Sequence, residues 1–170
     1  MLDRGSEEEA VYAAVGRALT KWEGLEYTLS ETYEALLRAK TDGAAYGYGL
    51  LTAFTGRYAL LESAEQHFPF RDEARFKPLR TLITRAEKLC ARRNEIAHGI
   101  VADVHTRGWY LVPAWYNSKK APRHVFGPEF NYGIGRYAYT AEQVQTYAKH
   151  FQALNLEVAP YRKQILDRWG

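Results

Sequence analysis

Cysteine, long apolar runs and a strong charge imbalance are all missing from this chain, and each absence excludes something. With one cysteine, Cys90, no intrachain disulfide can form, so a disulfide-stapled secreted scaffold is excluded and a reducing, cytoplasmic setting is expected. No stretch of about eighteen uncharged apolar residues occurs, so no membrane span and no membrane partner are expected. The segment Met1-Leu2-Asp3-Arg4-Gly5-Ser6-Glu7-Glu8-Glu9 is acidic where an export signal needs a basic flank and then an apolar run. A net charge of +3 is too small to mark a nucleic-acid-binding protein by itself. His67, His105, His124 and His150 are scattered without metal-ligand spacing. The stretch Gly127-Pro-Glu-Phe-Asn-Tyr-Gly-Ile-Gly does not match a phosphate-cradling loop. Neither a metal nor a cofactor is therefore expected. Internal repeats and low-complexity tracts are also absent.

What is present is ordinary in amount and uneven in distribution. A length of 170 residues suits a single domain over 1–170 with a core of its own, and 46% hydrophobic with 25% charged residues is a globular balance. Aromatic residues are abundant, with 13 Tyr and 4 Trp; they suit a helical core with amphipathic rims, or a surface that meets another chain or a nucleic acid. Residues 1–34 carry eight acidic and three basic side chains, whereas residues 71–93 carry eight basic and three acidic. Either the acidic first helix neutralises the basic third one within the fold, or the basic stretch forms a groove that attracts phosphate.

Hydrophobic spacing predicts four helices. The first runs from about Ser6 to Arg38 through Val11, Val15, Ala18, Trp22, Leu25, Leu29, Tyr33 and Leu36, opened by a Ser6/Glu9 capping box. Thr41-Asp42-Gly43 ends it. The second reads from about Ala44 to His67, weakened by Gly47, Gly49 and Gly56. The third reads from about Asp72 to Gly99 along Phe76, Leu79, Ile83, Ala86, Cys90, Arg93, Ala97 and Ile100, with Pro78 in or at the start of its first turn and Gly99 as its stop. Val101–Val104 and Trp109–Tyr116 read as a hairpin, Tyr137–Tyr139 as a third short strand, and Lys119–Pro128 as loop. Thr140-Ala141-Glu142-Gln143 is a second capping box, opening a last helix through Val144, Tyr147, Phe151, Leu154 and Val158 that Pro160 ends or kinks. The expected fold is mainly α: a helical bundle with a small β-hairpin or sheet insertion, about 101–139, between the third and fourth helices.

Arg93 breaks this pattern, because it falls on the face of the third helix that otherwise reads as core. A guanidinium cannot shed its charge to escape burial, so it must be paired, hydrated in a cleft or reserved for an anion. Glu26, between Trp22 and Leu29 on an apolar face, is a visible partner, and an Arg93–Glu26 pair is one expectation. His98 lies five positions after Arg93 and borders the stripe; Asn94, four before His98, shares its face and can hydrogen-bond to it. A histidine near a helix end is commonly a cap or an edge residue. Here it stands beside a misplaced arginine and an amide.

The string Arg92-Arg93-Asn94-Glu95-Ile96-Ala97-His98-Gly99 at the end of a third helix resembles the signature of the HEPN superfamily, helical domains of prokaryotic toxins, defence systems and RNA-processing proteins. That signature is an arginine, four to six residues and a histidine, commonly with a polar residue after the arginine. No other arginine in the chain has a histidine five positions later. The resemblance extends to the helical frame, including a long first helix with Trp22, Glu26 and Leu29. Members that act as toxins paired with a nucleotidyltransferase carry a tyrosine two residues after the histidine; Ile100 stands there, which points away from that subtype. The β-rich 101–139 segment is absent from a minimal member.

The resemblance implies a metal-independent endoribonuclease in a toxin, defence or RNA-processing role, leaving 2′,3′-cyclic phosphate ends. The residue types suit that reaction. A histidine titrates near neutrality and can take the 2′-hydroxyl proton or give one to the leaving oxygen, while an arginine stabilises charge on the phosphate. Arg93, His98 and Asn94 are the expected catalytic residues, with Glu26 and Glu95 supporting. Arg85, Lys88, Arg92, Lys119 and Lys120 are candidate RNA contacts, the two lysines beside the stacking rings of Trp115 and Tyr116. One histidine cannot easily serve both sides of a phosphate, and in the family a homodimer brings two motifs to one groove. RNA, a second copy and an antitoxin or regulatory protein are the expected partners. The competing expectation is a non-catalytic dimeric module that binds a partner protein, nucleotide or RNA and keeps Arg93 as an anion anchor.

Overall fold

A computed structural model describes residues 4–104, 108–114 and 137–170. The order of elements is α1 (Arg4–Leu36), α2 (Gly43–Leu50), α3 (Phe54–His67), α4 (Lys77–Ala97), β1 (Gly99–Asp103), β2 (Trp109–Pro113), α5 (Ala141–Val158) and α6 (Pro160–Trp169). Among the described residues the chain is mainly helical with one small antiparallel hairpin, as its sequence pattern predicts. It divides into two compact units, one of residues 1–21 with 92–149 and one of residues 22–91 with 150–170.

The larger helical unit is built on aromatic packing. Trp22 is fully buried and meets Phe54 and Phe151 edge-on, at 5.3 and 5.2 Å between ring centroids, an arrangement that lets ring edges face ring faces. A second cluster joins Phe68 to Phe76 at 5.0 Å and to Trp169 at 5.6 Å. The Trp169 indole N–H donates to the Ala35 carbonyl at 2.9 Å, which ties the end of α6 to the end of α1. α1 stops there in a Schellman pattern: Ala39 N bonds Glu34 O, Arg38 N bonds Ala35 O, and Arg38 takes the left-handed conformation at φ 51°.

Several expected boundaries move. α1 begins at Arg4, so Ser6 lies inside the helix and not at its cap. The second predicted helix is two helices, broken at Leu51, whose backbone is extended at φ −74° and ψ 114°. Glycines at 47 and 49 each cost about 1 kcal/mol in a helix interior, and Arg57 takes over the exposed backbone. Its Nε donates to Leu51 O at 2.8 Å and its Nη2 to Gly49 O at 3.3 Å. α4 begins at Lys77, with Pro78 in its first turn, after a series of turns through residues 70–76. Pro160 divides α5 from α6, as its missing N–H requires.

The smaller unit contains the hairpin. β1 and β2 pair in the register Ile100↔Val112, Val101↔Leu111 and Ala102↔Tyr110, closed by a Val104 N to Gly108 O bond of 2.9 Å with Gly108 at φ 94°. The expected third strand is a single bridge, in which Leu111 and Tyr139 exchange two backbone bonds of 2.9 Å. The capping box of α5 forms in both directions: Gln143 N donates to Thr140 Oγ1 at 3.2 Å, and Thr140 N to Gln143 Oε1 at 3.0 Å.

Candidate active site

The buried stripe of α4 follows Leu79, Leu82, Ile83, Ala86 and Cys90, and then it shifts. The next fully buried residue is Ile96, whereas Ala97 is half-buried and Ile100 is 49% exposed. From Arg92 onward α4 belongs to the hairpin unit. Arg93 falls at this change of face and is only half-buried. The contradiction it posed is thereby eased, because a half-buried guanidinium keeps part of its hydration.

Asn94 and His98 are exposed. Arg93 Nη1 reaches Asn94 Oδ1 at 3.3 Å. The bond from His98 to Asn94 is made by backbone, His98 N donating to Asn94 O at 3.0 Å. It carries the helical pattern one residue past Ala97 and sets His98 in the turn between α4 and β1. Gly99 follows, and a Cβ there would stand 2.8 Å from Leu111 Cγ, so the glycine serves close approach of the strands.

Glu95 is the centre of a hydrogen-bonded knot. Its Oε2 accepts from the Tyr139 hydroxyl at 2.6 Å and from Arg92 Nη1 at 2.6 Å, and Arg92 Nη1 also lies 2.9 Å from Tyr139 Oη. The Tyr137 hydroxyl donates to the Glu95 carbonyl at 2.8 Å and its ring stacks on that of Tyr139 at 5.1 Å. Tyr147 meets Tyr139 edge-on at 5.4 Å. Burial first, and the Glu95 charge second, push the Tyr137 hydroxyl up to about 12. Burial and the bond to Glu95 push Tyr139 up as well. Both remain donors through neutral pH.

The other candidates have different places. Glu26 lies in the larger unit, 7% exposed, with Trp22 Nε1 donating to its Oε1 at 2.5 Å. Its ion pair is made with Arg57, on the opposite oxygen. The expected partner of Glu26 was Arg93; the partner found is Arg57. Arg85 makes a two-pronged pair with Glu157 at 2.6 and 3.0 Å, which holds the Glu157 carboxyl below its usual range. Lys88 is exposed. Lys119 and Lys120, with Trp115 and Tyr116, lie outside the described residues. Sequence reasoning named Tyr137–Tyr139 only as a short strand and did not single out Tyr137, Tyr139 or Arg57 as site residues; the alternating Tyr137-Ala138-Tyr139 beside a capping box was the available signal for the pair. Among the described residues, no three His, Cys, Asp or Glu side chains gather as a metal site, and no helix is long and apolar enough to cross a membrane.

Comparison with protein-family models, with curated proteins and with solved structures finds no match.

Proposed function

We propose that this chain is a metal-independent endoribonuclease of the HEPN type, acting as a homodimer in a toxin, defence or RNA-processing role. His98 transfers protons between the 2′-hydroxyl, the leaving oxygen and solvent. Arg93 holds a non-bridging phosphate oxygen, and Asn94 orients the reacting groups or touches RNA. The observation that carries the reading is the grouping at one helix end of an exposed imidazole, an exposed amide and a half-buried guanidinium that reaches that amide. An anion can approach the exposed imidazole and amide from solvent while the arginine stem stays packed.

Arg85 and Arg92 pair with Glu157 and Glu95, and in this reading the RNA contacts among the described residues are assigned to Arg93 and Lys88. The same engagement favours the second reading, a dimeric module that binds an anionic partner through Arg93 without cleaving it.

Substitution separates the two. His98→Ala is expected to lower cleavage by about 10² to 10⁴, and Arg93→Ala by about 10² to 10³, with unchanged circular dichroism for both. A folded wild-type chain that binds RNA through Arg93 and leaves it intact would establish the module instead.

A further inference from the structure

The turn that carries His98 is tied down on both flanks. A helix leaves the carbonyls of its last turn without intrahelical donors, and water ordinarily satisfies them. At the end of α4 the Asn94 carbonyl takes the His98 N–H at 3.0 Å, and the Glu95 carbonyl takes the hydroxyl of Tyr137, 42 residues further along. The Glu95 side chain is held separately by Tyr139 and Arg92, at 2.6 Å each. After His98, Gly99 packs tightly on Leu111, and Leu111 is bonded twice to the Tyr139 backbone. The residues before and after His98 are thus fastened to the same short Tyr137–Tyr139 segment, directly on one side and through Leu111 on the other. None of these bonds uses the imidazole, the Asn94 amide or the Arg93 guanidinium.

We propose that Glu95, Tyr137 and Tyr139 are positioning residues for the His98 site, fixing the end of α4 so that the imidazole is presented in one orientation relative to Arg93. Its catalytic consequence rests on the ribonuclease reading; its effect on His98 does not. Proton transfer demands a reacting geometry in which a misplacement of about 1 Å costs about 10² in rate. A free helix end frays on that scale. Two hydroxyl donors on stacked, partly buried rings supply the missing constraint, and a phenylalanine at either position keeps the ring while deleting the donor.

The test uses the full chain with Tyr137→Phe, Tyr139→Phe and the double variant. Amide hydrogen exchange at His98 and Gly99 and the titration of the His98 imidazole are followed by NMR, and kcat and KM are measured on an unstructured RNA oligonucleotide. Loss of one hydrogen bond of ordinary strength should speed exchange of the His98 amide about five- to tenfold. The imidazole titration should shift, and kcat should fall about tenfold or more with KM within about twofold. Glu95→Gln, which keeps an acceptor for Tyr139, should fall between wild type and Glu95→Ala. The proposal is overturned if exchange and titration at His98 match wild type in the double variant, or if faster exchange spreads equally to the α6 amides. If exchange and titration respond while the wild type cleaves no RNA, positioning of His98 stands and the ribonuclease reading falls.

Discussion

Gly99 shows how one missing side chain fixes the path of the backbone after His98. An alanine would place its Cβ 2.8 Å from both Leu111 Cγ and Cδ1, and 3.1 Å from the Glu95 carbonyl. The Leu111 tip can rotate away, but its Cγ and the carbonyl cannot do so freely. Gly99→Ala should therefore cost about 1–3 kcal/mol in chemical denaturation; an unchanged midpoint would mean that the hairpin has slack at this point. Glu65 is a second residue-scale case. It is 5% exposed, and burial raises its pKa against the partial offset of Arg80 and Arg71. The folded state thus binds this proton more tightly than the unfolded state. Its contribution to stability is full below the unfolded pKa and is lost as pH rises through the folded one. Glu65→Gln should accordingly gain on wild type in thermal melts as pH is raised from about 4 to 8, where Glu ordinarily ionises near 4.3. A difference that stays constant across that range would refute the assignment.

At the scale of elements, Arg57 joins α3 to α1 and α2. Its guanidinium pairs with Glu26 on α1, donates to the carbonyls of Gly49 and Leu51, and lies 5.6 Å from the Tyr48 ring centroid. Removing it leaves a buried carboxylate and two carbonyls short of donors, so Arg57→Ala should destabilise the chain by about 3 kcal/mol. Glu26→Gln in that background should recover part of the loss, and a double-mutant cycle by urea titration measures the coupling. Additive effects would show that the pair is not coupled. The same elements mark what the sequence made legible. Hydrophobic period located α1, α4 and α5, the Thr140/Gln143 box located the start of α5, and the β-branched and aromatic runs located the hairpin, whereas the Ser6/Glu9 box did not mark the start of α1. The break at Leu51 was only hinted at by Gly47 and Gly49, since it depends on a side chain six residues further on. Arg93 stood out because it violated a stripe, yet the stripe itself turns toward Ile96 where α4 enters the other unit. Tyr137 and Tyr139 are held to Glu95 across more than forty residues, a pairing that no local spacing encodes.

At the scale of the whole molecule, the proposed reaction needs proton transfer on both sides of one phosphate, and each chain offers one His98. On that proposal a second copy supplies the second imidazole, and light scattering at micromolar concentration should give about twice the 19.5 kDa mass of the chain. A monomer would count against shared catalysis. The most direct test of the ribonuclease reading is incubation of the purified protein with RNA in excess EDTA, followed by end-group analysis of the products. Cleavage that leaves 2′,3′-cyclic phosphate ends, spares DNA of the same sequence and disappears in His98→Ala is the expected result. Activity that requires a divalent ion, attacks DNA equally, or survives in both His98→Ala and Arg93→Ala would contradict it.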